Sequence, residues 1–208
     1  DSLQQYHLVD KKLADVTNAN CWAHARRDFA DAVKAADKKD PSSVRQSVAY
    51  QALQKIAEFY NADTELKGLS SRERLQKRQE VIKPMVEEFF AWVKQQVSDC
   101  TVPPKSKTGQ GLNFVINQEK YLRIFLEDGD VPIDNSASER AIRTFCLGKK
   151  NWMFHNTAKG ASASAMVYSI SETAKLNHLR PYYYFKYILA ELPKLCDEKG
   201  NIDPEKLD

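Results

Sequence analysis

The sequence predicts a mainly α-helical protein with one short strand near its start. Apolar residues recur at three- and four-residue steps through most of the 208 residues, which is the spacing of an amphipathic helix face. Helix-start signals stand ahead of several of these stretches, at Ser70-Ser71-Arg72-Glu73 and Pro181, whereas strand-like residues cluster only over Val16–Ala23.

Taken in order, Leu3, Tyr6 and Leu13 make a weak helical pattern over 3–14. Val16, Thr17, Cys21 and Trp22 suit a strand. A helix from Ala25 to Ala36 buries Phe29 and Val33, and Asp40-Pro41-Ser42-Ser43 is a linker with a helix start. Val44, Val48, Ala52, Ile56 and Phe59 share one helix face. Ser70 and Glu73 form a capping box that opens a long helix to Val97. Pro84 kinks or splits that helix, because it removes a backbone donor and crowds the turn before it. Thr101-Val102-Pro103-Pro104 ends it, and Leu112, Val115, Ile116, Leu122, Phe125 and Leu126 mark one more helix or a broken pair. These apolar faces must pack on each other, which makes 40–127 a helical subdomain between 1–39 and 128–208.

Glu127-Asp128-Gly129-Asp130 is a turn, and Val131-Pro132-Ile133 is extended because a residue before proline avoids helix. Asp134 or Asn135 caps a helix carrying Glu139, Arg140, Ile142, Arg143 and Phe145, which Gly148 stops. Gly160 precedes an Ala- and Ser-rich helix to Leu176. Pro181 opens the last helix and Pro193 ends it.

Composition excludes some classes. No apolar run approaches the roughly 18 residues of a membrane span, and the start, Asp1-Ser2-Leu3-Gln4-Gln5, has no signal-peptide pattern. A start without Met marks a processed or excised piece. Cys21, Cys100, Cys146 and Cys196 lie far apart, as reduced thiols of a cytoplasmic protein do. Cys21 and His24 form a C-x-x-H half-site with no second pair, so a buried Cys beside a packing Trp22 is the better reading. Between 140 and 190 there are eight cations (Arg140, Arg143, Lys149, Lys150, Lys159, Lys175, Arg180 and Lys186) against one acid, Glu172. Phe145, Trp152, Phe154, Tyr168 and Tyr182 to Tyr187 crowd the same stretch. It is either a polyanion-binding surface or a solvated basic face over a Tyr-rich core.

The segment from Pro132 to Phe154 carries the candidate chemistry. Glu139 falls in the first turns of a capped helix with Arg143 four residues on, which by itself is an ordinary ion pair. Glu, Asp and Asn are also oxygen donors of the kind Mg²⁺ takes. The stretch Asp134-Asn135-Ser136-Ala137-Ser138-Glu139-Arg140-Ala141-Ile142-Arg143, followed by Gly148-Lys149-Lys150-Asn151-Trp152-Met153-Phe154, resembles the hallmark boxes of the insertion-sequence-66 transposase family. Cys21-Trp22-Ala23-His24-Ala25-Arg26-Arg27-Asp28-Phe29, Phe125-Leu126-Glu127-Asp128-Gly129 and Tyr168 to Asn177 resemble further family stretches in the same order.

The resemblance implies a DDE-type enzyme and its carboxy-terminal catalytic part. The fold it implies is a partial ribonuclease-H-like α/β core, with residues 40–127 as a large helical insertion. Three acids would hold two Mg²⁺ or Mn²⁺ ions that activate the attacking oxygen and the leaving oxygen of a phosphodiester. Glu139 stands where the last acid belongs and Asp1 where the middle one does, although the family's Gly-Tyr after that Asp is Ser2-Leu3 here. Arg140, Arg143, Lys149 and Lys150 would meet phosphates, while Trp152 and Phe154 suit a core. The implied partners are DNA, at transposon ends and target, and further copies of the chain. Lacking the first acid, the chain by itself would be inactive. The competing reading is a non-enzymatic, all-helical module that binds nucleic acid or protein.

Overall fold

Three serines start three helices for one physical reason: a side-chain oxygen accepts a backbone N–H that the first helical turn leaves unpaired. Ser47 accepts from Tyr50, Ser70 from Glu73 and Ser106 from Gly109. At Ser70 the bond is reciprocated by Glu73, completing the capping box that the sequence predicts. A computed structural model describes residues 16–37, 41–152, 155–197 and 201–202. Asp1, the 3–14 pattern and Phe154 lie outside the described residues. The chain forms two units, Asp1–Ser136 and Ala137–Asp208.

In the first unit the order is α1 (Trp22–Ala25), α2 (Arg27–Asp37), α3 (Pro41–Val44), α4 (Val48–Glu65), α5 (Ser71–Lys77), a π-helical turn (Arg78–Ile82), α6 (Lys83–Ser98), α7 (Lys107–Asn117), α8 (Glu119–Leu122) and a 3-10 turn (Ile124–Leu126). The mainly helical expectation holds. The expected strand does not form: residues 16–21 are irregular and Trp22 opens α1. Among the described residues there is no strand, so they do not build the ribonuclease-H-like α/β core. The physical reason is that this backbone finds partners singly instead of along a ladder. Asn20 N–H donates to the Tyr121 carbonyl and Trp22 N–H to that of Ile133.

Trp22 is fully buried and its indole N–H donates to the Leu122 carbonyl at 2.8 Å. Phe59, Phe89, Phe90 and Phe125 surround it, with ring centroids at 4.7, 5.7, 5.8 and 6.5 Å. Truncating such a residue costs about 3–5 kcal/mol. Around it α4 buries Ala52, Ile56 and Phe59, and α6 buries Val86, Phe89, Phe90 and Val93. Phe29 of α2 is buried against Gly111 of α7, where a Cβ would come within 2.8 Å of its ring. Val33 is only half-buried.

The long helix expected from Ser71 to Val97 is split, as Pro84 requires. The break is the π-helical turn just upstream, with Pro84 in the first turn of α6. In a regular helix the Pro84 ring would meet the Glu80 carbonyl, and the widened turn moves that carbonyl out of line. The same turn sets Arg78 inward, 2% exposed. Its Nε donates to Asp63 at 2.7 Å, and its Nη1 to the carbonyls of Phe125, Asp128 and Val131 at 2.8, 2.9 and 2.8 Å. Arg74 donates to the Gly129 carbonyl at 3.0 Å. Two arginines therefore hold the 125–131 turn, and Gly129 lies so close to the Ser71 backbone that a Cβ would overlap it.

The second unit has α9 (Ser136–Trp152), α10 (Ala158–Leu176) and α11 (Pro181–Leu195). Gly148 does not stop α9, which runs on to Trp152. A glycine inside a helix costs only about 1 kcal/mol, and the good helix formers Lys149 and Lys150 follow. Thr157 caps α10 by accepting from Gly160 N–H. Pro181 opens α11 as expected, but Pro193 sits inside its last turn and the helix continues to Leu195. Among the described residues of this unit only Ala174 is buried as a core position.

Candidate functional site

Two motifs more than a hundred residues apart meet in the first unit. Trp22 N–H donates to the Ile133 carbonyl at 3.2 Å, and Asn135 N–H donates to the Cys21 Sγ at 3.5 Å. The C-W-A-H-A-R-R stretch is thus joined to the start of the D-N-S-A-S-E-R box. Cys21 is 4% exposed, a buried thiol beside a packed Trp22. Asp134 turns back to accept the Ser136 N–H at 2.9 Å, an Asx turn at the entry to α9.

A third element reaches the same place. Tyr60 of α4 is stacked beside Phe59, with centroids 6.2 Å apart, and its hydroxyl is shut off from solvent. Burial pushes that hydroxyl well above the ordinary phenol range. The Asp134 carboxylate it faces pushes it further, while the charge of Arg26 opposes the shift. At neutral pH Tyr60 is therefore a neutral O–H facing a carboxylate. Tyr60 falls just off the apolar stripe of α4 and Asp134 looks like a plain helix cap. Sequence reasoning names Asp134 as a cap and as the first residue of the D-N-S-A-S-E-R box but passes over Tyr60, which only its proximity to Asp134 in space marks.

In the second unit, Glu139 lies in the first turn of α9 and is exposed, as are Arg140 and Arg143. Glu139 and Arg143 stand one helical turn apart on one face, and Lys149 and Lys150 fall in the last turn of the same helix. Ile142 and Leu147 are 58% and 55% exposed, so this helix presents apolar as well as charged side chains to solvent. Asp1 lies outside the described residues, so its distance from Glu139 is not defined.

Glu139 supplies one hard carboxylate oxygen donor of the kind a divalent ion takes. Among the described residues no group of three His, Cys, Asp or Glu side chains could hold a metal ion. They do not make a complete metal site by themselves. Among the described residues, too, no helix is long and apolar enough to cross a membrane.

Relatives give the geometry its context. Uncharacterized protein y4hP of Sinorhizobium fredii is 31% identical over 185 residues, which is 87% of this chain and 33% of the relative. Two further uncharacterized proteins of the same organism, y4jD and y4qI, are 28% and 29% identical over 84% of the chain, or 32% and 30% of their own length. The chain spans about a third of the length of the curated relatives it matches. No solved structure matches it. The family described as "Transposase IS66 family" matches residues 1–163, an interval holding both joined motifs and all of α9, and the chain accordingly belongs to the transposase IS66 family.

Proposed function

We propose that this chain is the Glu139-bearing, carboxy-terminal part of a DDE-type transposase that cleaves DNA and joins the freed end to a target. What supports the reading most is the junction of Cys21-Trp22 with Ile133–Asn135, which ties the two most family-like stretches together at the entry to α9. In this reading Glu139 is one ligand of a divalent ion, Mg²⁺ or Mn²⁺, and Asp1 is a second. When bound, such ions activate the attacking oxygen and steady the leaving oxygen of a phosphodiester. Arg140, Arg143, Lys149 and Lys150 bind the phosphates on either side and hold the strand in register. Several copies of the protein bring transposon ends and target together.

The test is strand cleavage by the complete protein on a duplex containing a transposon end, in Mg²⁺ or Mn²⁺, with and without Glu139→Gln. That substitution keeps size and hydrogen bonding while removing the negative donor. Cleavage should vanish in the variant while duplex binding stays. Cleavage unchanged in Glu139→Gln would overturn the assignment. A helical module that only binds DNA would give no metal-dependent cleavage in either protein. The 208-residue chain by itself should not cleave, because Asp1 and Glu139 alone bring too few acids for two ions.

A further inference from the structure

Among the described residues, the aromatic side chains at the start of α11 do not form a core. On α11, Tyr182, Tyr183 and Tyr187 are 74%, 60% and 62% exposed, while Tyr184 and Phe185 are half-buried. Four-residue steps put Tyr183 and Tyr187 on one face of the helix, with Tyr182 and Lys186 on the face beside it. Tyr182 and Tyr183 meet edge to face, with centroids 5.3 Å apart, which leaves ring faces open to solvent. Arg180 and Lys186 are exposed among these rings. From Thr173 to Ala190 the sequence has three cations and no acid, and the first of them, Lys175, is already paired with Glu172.

A large exposed aromatic surface needs an occupant. A second copy docked face to face would bring Arg180 and Lys186 against their own counterparts, since a two-fold contact pairs each patch with itself. Duplex DNA would satisfy the cations but leave the rings idle, because its bases are stacked inside the helix. Unpaired bases have free faces, and an exposed tyrosine ring offers a matching one. Phosphates spaced along a single strand suit the interleaved cations.

We propose that the exposed face of α11, with Tyr182, Tyr183, Tyr187, Arg180 and Lys186, binds single-stranded DNA, the rings stacking on unpaired bases and the cations meeting phosphates. The inference rests on DNA being the partner, as in the reading above, and adds the state of the strand: a stretch of unpaired bases is held here. Replacing a stacked ring lowers affinity by about 5- to 150-fold per base.

The experiment uses the intact chain with two probes, a fluorescein-labelled oligothymidylate of about 16 nucleotides, roughly one site, and a duplex of equal length. Binding is followed by anisotropy at fixed salt. The double variant Tyr183→Leu/Tyr187→Leu keeps bulk and removes the rings, and Tyr183→Phe/Tyr187→Phe keeps the rings. The leucine variant should bind oligothymidylate at least about tenfold more weakly, with unchanged duplex binding, and the phenylalanine variant should match the parent. Unchanged oligothymidylate affinity in the leucine variant, an equal loss on both probes, or an equal loss in the phenylalanine variant overturns the proposal. So does a parent chain that does not bind oligothymidylate. If the leucine variant loses helix by circular dichroism, photocrosslinking of the parent to 5-iodouracil-substituted oligothymidylate decides. Crosslinks at Tyr182, Tyr183 or Tyr187 support the proposal and crosslinks only elsewhere overturn it. Strand binding is read by anisotropy on the intact chain without a divalent ion and strand cleavage on the complete protein with one, so a failure of strand cleavage and a failure of strand binding remain separate results.

Discussion

Replacing Arg78 by Leu should unfold the first unit more readily than any surface change. The guanidinium is 2% exposed and Asp63 is 8% exposed, so the substitution leaves a buried carboxylate without its 2.7 Å partner. Breaking a buried pair from one side costs about 3–5 kcal/mol. The Phe125 carbonyl also loses its donor at 2.8 Å, worth about 1–3 kcal/mol if water does not replace it. Water can reach the Asp128 and Val131 carbonyls more easily, so they add less. A loss near 4 kcal/mol is a large share of the ~5–15 kcal/mol that holds a domain together. At about 2–4 °C per kcal/mol it lowers Tm by roughly 8–16 °C. Urea unfolding followed by far-UV circular dichroism measures it directly. Arg78→Lys, which keeps the charge and loses the fork, should fall between parent and Leu. Arg78→Leu/Asp63→Leu should recover part of the loss, because no unpaired charge remains. A loss under about 1 kcal/mol for the single variant, or a double variant as unstable as the single, would refute the view of Arg78 as the buried anchor.

Other outcomes follow from the same structure. Gly129→Ala forces a Cβ into the Ser71 backbone and should cost about 1–3 kcal/mol by the same urea measurement, as an overpacked site does. Arg123 donates to Glu87 at 2.6 Å and to Glu119 at 2.7 Å. The Arg123 hydrogen bond holds Glu87 below the usual range. For Glu119, burial pushes up, but hydrogen bonds from Lys94 and Arg123 prevail and its pKa is also lowered. Carboxylates depressed in the folded state stabilise it above their unfolded pKa of ~4.3 and lose that contribution as pH falls through the folded values. The stability gap between parent and Arg123→Gln should therefore close between about pH 5 and pH 3. Arg143→Ala or Lys149→Ala should each flatten the dependence of log duplex affinity on log salt by about 0.9 and weaken all sequences alike. No change in either slope would remove these residues from the phosphate-binding surface.

Much of the helical layout was legible because it follows from apolar spacing and caps. The stripe through Ala52, Ile56 and Phe59 is buried as expected, the Ser70 capping box forms, and the Leu112–Leu126 stretch breaks into α7, α8 and a 3-10 turn. The strand preference over Val16–Ala23 is a local one, and among the described residues no other strand pairs with it. Trp22 is held by four aromatic rings and two carbonyls, a tertiary environment that overrides a weak local preference. Arg78 was illegible for a different reason. Hydrophobic periodicity passes over a charged residue, and its burial depends on Asp63 and on carbonyls about fifty positions later. At the candidate site, Glu139 and its neighbouring cations are legible in motif order as expectations, and the structure adds only that Glu139, Arg140 and Arg143 are exposed on α9. Tyr60 is not legible, since nothing local distinguishes it from any tyrosine beside a core phenylalanine.

The widened turn at Arg78–Ile82 also sets the phase of α6. Arg74, Arg78, Ile82 and Val86 follow one another at four-residue intervals. In a regular helix each such step overshoots a full turn by about 40°, so the row would wind off the core within three steps. A π turn holds more residues per revolution and takes that overshoot back, which keeps Arg78, Ile82 and Val86 all buried. The π turn spreads one more residue over nearly the same arc, so removing one residue between 78 and 82 would restore ordinary helix geometry and leave Val86, Phe89, Phe90 and Val93 turned toward Trp22. What such a deletion would take away is the widened turn itself, which clears the Glu80 carbonyl from the Pro84 ring and turns Arg78 inward.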